Sequence, residues 1–268
     1  MHYRDLGALI FVSGLFCNLV SFPVNGQEPT ASARPKVAGA PGGDTATQPA
    51  NDSRWKSLLP KAGLEGWEVT EFGGEGAVAR EGDSVVMELG DPLTGINYLG
   101  KDFPVNNFEL SVEIQRIEGN DFLCGLTFPV ADEHCSFIAG GWGGGLVGIS
   151  SVDGYDASEN STTSYHTFEN GKWYTFGVRV DDEYITTWID DKEFVWLERE
   201  GHKFSTRIEV SLSRPVGLCA FQSKVAIKNL KYRTFTAEEL KKQLAAEKAA
   251  KEAKSAAKSE AKAEAAIE

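Results

Sequence analysis

From residue 54 onward, apolar and polar residues alternate in short runs separated by Gly, Asp and Asn. The cleanest run covers residues 107–117. Phe108, Leu110, Val112 and Ile114 fall on one side, and Glu109, Ser111, Glu113 and Gln115 on the other. A period of two is the signature of a strand with one face buried. Residues 173–181 repeat it with Tyr174, Phe176, Val178 and Val180. Shorter runs predict strands at 67–72, 84–89, 121–128, 135–139, 145–150, 184–190, 193–197, 209–212, 216–221 and 225–232. Asp190-Asp191-Lys192 reads as a hairpin turn, with Trp188 and Trp196 packing across it or forming a platform for sugar. No amphipathic helix of three turns interrupts the series. An all-β sandwich or jelly roll over residues 53–233 follows.

The flanks have a different character. Residues 1–26 read as a signal peptide: Arg4 precedes an apolar stretch at residues 6–20, and Val24-Asn25-Gly26 offers small residues for cleavage. That stretch is shorter than the roughly 20 residues a membrane span needs. Leu15-Phe16 before Cys17 lacks the small residues of a lipoprotein signal. The expected location is therefore secreted or periplasmic, without membrane insertion once the signal is removed. Residues 27–52, rich in Pro, Ala, Gly and Thr, have no apolar period and predict a disordered linker. Residues 234–268 are rich in Ala, Lys and Glu. Thr236 and Glu239 are spaced as a capping box, which predicts a charged, solvated helical tail.

Charge narrows the partners. Residues 1–50 carry three basic and three acidic groups, and residues 236–268 carry seven Lys and seven Glu. The whole net charge of −12 therefore sits on residues 51–235. Such a domain repels nucleic acid and anionic membrane, and suits neutral sugars, cations or basic partners. Three cysteines follow the signal. Cys124 and Cys135 flank a predicted turn at residues 129–132, which leaves two readings open: a disulfide, or buried thiols acting as small hydrophobes.

The candidate chemistry gathers at residues 132–163. Five glycines surround Trp142. They either leave its ring open for stacking on a pyranose or build a tight crossover with the ring in the core. Asp153, Asp156, Glu159 and Asn160 follow, hard oxygen donors of the kind Ca²⁺ prefers, though they equally suit a solvated turn. Asp153, Asp156 and Glu159 are the candidate metal ligands, and Trp142, Tyr155 and Asn160 the candidate sugar contacts. Glu133, His134 and Asp156 are the candidate acid and base groups.

The order of these runs resembles a known family. SLLPKAGLEGWEV, DFPVNNFELSVEIQ, NGKWYTFGVRVDDEYITTWIDDKEF and PVGLCAFQSKVAIKNLKYR are similar, in sequence, to the characteristic segments of the 3-keto-disaccharide hydrolase domain. The resemblance spans residues 55–233. It implies a concanavalin A-like jelly roll of two antiparallel sheets, of a kind abundant in exported proteins of planctomycete-type bacteria. Where family members often carry N-S-G-I-x-x-R, this chain reads Asn120-Asp121-Phe122-Leu123-Cys124-Gly125-Leu126. Three functions follow as expectations: recognition of a saccharide or cell-surface glycan, hydrolysis of a 3-keto or related disaccharide, or a structural or adhesion role.

Overall fold

The computed structural model describes residues 54–264, with side chains through residue 253. The signal peptide and linker expected over residues 1–52 lie outside the described residues. In chain order the elements are β1 (Lys56–Ser57), β2 (Trp67–Val69), β3 (Val78–Glu81), β4 (Ser84–Met87), β5 (Leu93–Tyr98), β6 (Phe108–Gly119), β7 (Cys124–Val130) and β8 (Glu133–Gly140). A single turn, α1 (Gly141–Gly144), leads to β9 (Leu146–Ser150), β10 (Ser164–Tyr165), β11 (Trp173–Val180), β12 (Tyr184–Ile189) and β13 (Lys192–Glu198). A short 3₁₀ helix at Ile208–Ser213 precedes β14 (Gly217–Phe221), β15 (Ser223–Thr234) and the helix α2 (Ala237–Glu264).

The strands form two antiparallel sheets packed face to face. One runs β13-β12-β11-β6-β15-β4-β3, with β1 added to β15; the other runs β10-β9-β8-β7-β14-β5-β2. Side-chain alternation builds the core between them. Phe108, Leu110, Val112 and Ile114 of β6 are completely buried against Leu126 and Phe128 of β7 and Phe137 of β8, all in one apolar cluster. Burying each such side chain contributes roughly 1.5–3 kcal/mol, so this two-sided core is what holds the sandwich. The result is the expected all-β jelly roll of two antiparallel sheets.

Three local expectations are corrected. Residues 208–213 form the 3₁₀ helix and not a strand: Val210 is buried on the outer face of the second sheet, while Ile208 and Leu212 face solvent. The turn at Ala131-Asp132 does form, but its register pairs Cys124 with Ala139 and Cys135 with Phe128. The two thiols are therefore four residues apart along the hairpin, out of disulfide reach. Cys124, Cys135 and Cys219 are free and buried.

The third correction concerns α2, which docks on the first sheet instead of standing in solvent. Thr236 and Glu239 make the reciprocal capping box, with Glu239 N–H donating to Thr236 Oγ1 (3.2 Å) and Thr236 N–H to the Glu239 carboxylate (2.9 Å). Leu240 and Leu244 are buried, and Glu247, Lys248 and Lys251 continue the same face. Glu247 accepts from Arg179 of β11 (Nη1–Oε1 2.9 Å), Lys248 meets Glu183 (3.0 Å), and Lys251 meets Glu193 (2.8 Å). Lys251 also lies 3.2 Å from the ring centre of Trp196, which packs on Tyr184. Trp188 sits beneath Arg179 at 5.1 Å. The tryptophan surface offered as a sugar platform is thus occupied by the chain's own cations. No helix among the described residues is long and apolar enough to cross a membrane.

Candidate functional site

The second sheet carries apolar residues on its outer face as well as its inner one. Leu93 of β5 and Cys219 of β14 cluster there with Val210, Phe122 and Phe221, and Ile138 of β8 clusters with Leu146 and Ala157. Glycines let other groups lie close to the strands. A Cβ on Gly125 would come within 2.8 Å of Cys219 Sγ and 3.2 Å of the Phe122 ring, so glycine there allows Phe122 to settle over the sheet. Phe122 meets Phe221 at 5.5 Å between ring centres. The loop after β9 and the segment around the 3₁₀ helix cover the rest of this face and leave a pocket of about 270 Å³.

Its floor is Leu93, Phe122, Ile138, Val210 and Phe221, with Ser150 among them. Asp121, Trp142, Arg207 and Glu209 complete the lining. The α1 turn places Trp142. Gly140, Trp142, Gly143 and Gly144 all have positive φ, Trp142 itself at φ 49° and ψ 53°. Asp121 secures this turn by accepting from the Gly143 N–H (3.1 Å) and, through its other oxygen, from the Phe122 N–H (2.7 Å). Asp121 is anchored in turn by Arg116, which is 5% exposed and donates to the Asp121, Phe168 and Asn170 oxygens.

The outer rim is charged, with one arginine shared between two carboxylates and a negative balance. Arg207 pairs with Asp156 and with Glu209 (2.8 Å), and lies 5.8 Å from the Trp142 ring centre. The Arg207 contact holds the Glu209 carboxyl below its ordinary value, and Glu209 in turn raises Arg207. Trp142 is 48% exposed, so its ring stands at the opening and does not plug the core.

The other predicted residues disperse. Asp156 accepts from Ser158 N–H and Oγ (2.8 and 2.6 Å), so its role beside the pocket is to fix Arg207 and its own loop. Asn160 spends its amide within that loop: its Nδ2 donates to the Ile149, Tyr155 and Asp156 carbonyls and its Oδ1 accepts from Thr162. Asp153 accepts from the Lys203 N–H (2.9 Å) and pairs with His202 (2.6 Å). No group of three or more His, Cys, Asp or Glu side chains arranged to hold a metal occurs among the described residues. Asp153, Asp156 and Glu159 therefore do not converge as a Ca²⁺ cage. Tyr155 is 58% exposed and is not part of the pocket lining.

Glu133 and His134 line a second cleft, of about 380 Å³, with Phe204, Ile208 and Arg214, which shares no residue with the first. Glu133 accepts from the Phe204 N–H (2.8 Å), and burial followed by the Arg214 charge holds His134 below its ordinary value. The segment 204–214 contributes to both clefts and separates Glu133 and His134 from Trp142. Sequence reasoning found Trp142 through its glycines but missed Arg207, Glu209, Asp121 and the phenylalanines. Only Arg207-x-Glu209 carried a local signal, an Arg and a carboxylate at adjacent same-side positions.

Solved structures match this chain at low identity and low structural similarity. The carbohydrate-binding module CBM66 from Bacillus subtilis is 12% identical, with 63% of this chain and 96% of that chain covered at a TM-score of 0.40. Domain 4 of AbnA, an extracellular arabinanase from Geobacillus stearothermophilus solved with arabinotriose, is 14% identical over 63% of this chain and 82% of that one, at 0.42. A galectin-like protein from Bacillus subtilis is 11% identical over 67% and 94%, at 0.45. No curated protein matches the sequence. Residues 54–233 match the 3-keto-alpha-glucoside-1,2-lyase-like domain, so the chain belongs to that family.

Proposed function

We propose that the domain recognises a saccharide in the pocket on the outer face of its second sheet, and that it does so outside the cytoplasm. The observation that carries the reading is the half-exposed Trp142 at the mouth of an apolar-floored pocket. A pyranose has an apolar face that stacks on an indole and hydroxyls that suit a polar rim. At about 270 Å³ the pocket lies just below the roughly 300–1,000 Å³ of drug-sized ligand sites, which suits one sugar unit. The net negative rim disfavours anionic sugars and leaves uncharged ones acceptable. The signal-like pattern of residues 1–26 supports export. Calorimetric titration against a sugar panel tests the reading. Trp142→Ala should weaken binding at least about tenfold; absence of binding, or binding indifferent to Trp142, would reject it.

The family name favours a second reading, lyase or hydrolase chemistry on a 3-keto-glucoside. Asp121 and Glu209 are the carboxylates that border the pocket. Glu209, held ionised by Arg207, is poorly matched to proton donation at neutral pH. Asp121 would then be the base. Turnover of a 3-keto-glucoside by wild type, lost in Asp121→Asn, would establish this reading.

A further inference from the structure

The pocket floor holds one polar group that the protein leaves without a partner. Ser150 is the last residue of β9, and Ile149 before it points into the core, so the Ser150 side chain belongs to the outer face. Ser150 is fully buried, and its Oγ has no hydrogen-bond partner among the described residues. Buried hydroxyls are nearly always satisfied, so an orphan in a pocket lining calls for an explanation, and a ligand group is one that this pocket can supply. Around it the floor is apolar: Leu93, Phe122, Ile138, Val210 and Phe221.

We propose that the pocket takes an acetylated sugar, whose acetamido carbonyl accepts a hydrogen bond from Ser150 Oγ while its methyl group packs against the apolar floor. The inference rests on the saccharide reading of this pocket and narrows it to a substrate class. A fully hydroxylated ring face inserted there would bury several hydroxyls with one partner to share, which is unfavourable. A deoxy sugar would fill the floor with its methyl and leave Ser150 unsatisfied. The acetamido group supplies one acceptor and one methyl to match the hydroxyl and apolar surface of the floor, with its N–H left at the rim with the ring. Its ring would remain at the rim beside Trp142 and Arg207.

The test is a titration of the folded protein with methyl glycosides of N-acetylglucosamine, glucose and fucose, repeated with Ser150→Ala, alongside thermal unfolding of both proteins. N-acetylglucosamine should bind at least about tenfold more tightly than the other two. Ser150→Ala should weaken N-acetylglucosamine roughly three- to tenfold, more than it weakens glucose, and leave the unfolding temperature level or higher, since it removes an unsatisfied group. A lower unfolding temperature would mean that the hydroxyl is structural and would overturn the inference. Equal binding of the three sugars, still dependent on Trp142, would overturn it while sparing the saccharide reading. No binding of any sugar would remove both.

Discussion

Arg207 shows how much of the site depends on residues that only the fold brings together. It links Asp156 of the loop after β9 to Glu209 of the 3₁₀ helix and lies over Trp142 of the α1 turn. Arg207→Ala should leave two unneutralised carboxylates at the pocket rim. Weaker binding of neutral sugars, by roughly tenfold, is the expected result by calorimetry. The pH dependence follows from Glu209. Its folded value lies below the ordinary 4.5, so the ion pair is intact above that value and is lost only as the pH falls through the lower folded one. Sugar affinity should therefore stay level from pH 8 to about pH 5 and drop below about 4.5; a drop already near pH 6 would point to a histidine instead. Trp142 was legible beforehand because glycines around an aromatic residue are a local pattern. Arg207 was not, because beyond the nearby Glu209 its partners are Asp156, 51 residues away, and Trp142 on the α1 turn, and no local pattern joins them. The acidic loop was legible as oxygen-rich, but its oxygens serve its own backbone, Arg207 and His202, and that division is invisible in a list of residue types.

Among the elements, alternation gave the long strands directly: β6 and β11 form close to their expected spans and bury the residues their period selects. It failed where segments were too short or too apolar to alternate. The brief strands β1, β3 and β10 had no period to read, and β5 lies within a Gly- and Pro-punctuated stretch. The 3₁₀ helix mimics a strand because Val210 and Leu212 stand at alternate positions, whereas the residues it buries are Val210 and Ser213. The tail was read as solvated because two leucines are a thin apolar face. What the sequence does not show is Arg179, whose side chain is 1% exposed and takes the Glu247 carboxylate as a counter-ion alongside the buried Asp181 at 3.7 Å. Breaking a buried pair from one side costs roughly 3–5 kcal/mol. Glu247 is still 30% exposed, so Glu247→Ala should cost less, about 2 kcal/mol in chemical denaturation. Glu252→Ala, on the exposed side of the same helix, should change stability by less than about 0.5 kcal/mol.

For the whole molecule, the sandwich divides its labour between two outer faces. One is closed by α2, and the other keeps a partly covered apolar surface with an opening. Stability should not depend on redox state. Cys124, Cys135 and Cys219 are free, and burial pushes their thiols up, Cys219 to about 12. A thiol-reactive dye should label none of them before unfolding, and reductant should leave the unfolding temperature unchanged; rapid labelling would contradict the packing of both sheets. Acid should weaken the fold earlier than its carboxylates alone require. Burial lowers His134 and His166, the latter packed edge-on against Phe168, Tyr174 and Phe194. The unfolded chain therefore takes up these protons first as the pH falls below 6.5, and stability declines from there. Thermal unfolding at pH 7.5 and pH 5 checks the sign.

The most direct test of a saccharide site on the second sheet is a map of amide and indole chemical shifts during titration with N-acetylglucosamine. Perturbations should gather at the Trp142 indole N–H and the amides of Phe122, Gly143, Ser150 and Val210, with the strands beneath α2 unmoved. Shifts confined to Trp188, Trp196 and α2, or to His134 and Arg214, would place the ligand elsewhere and contradict the assignment.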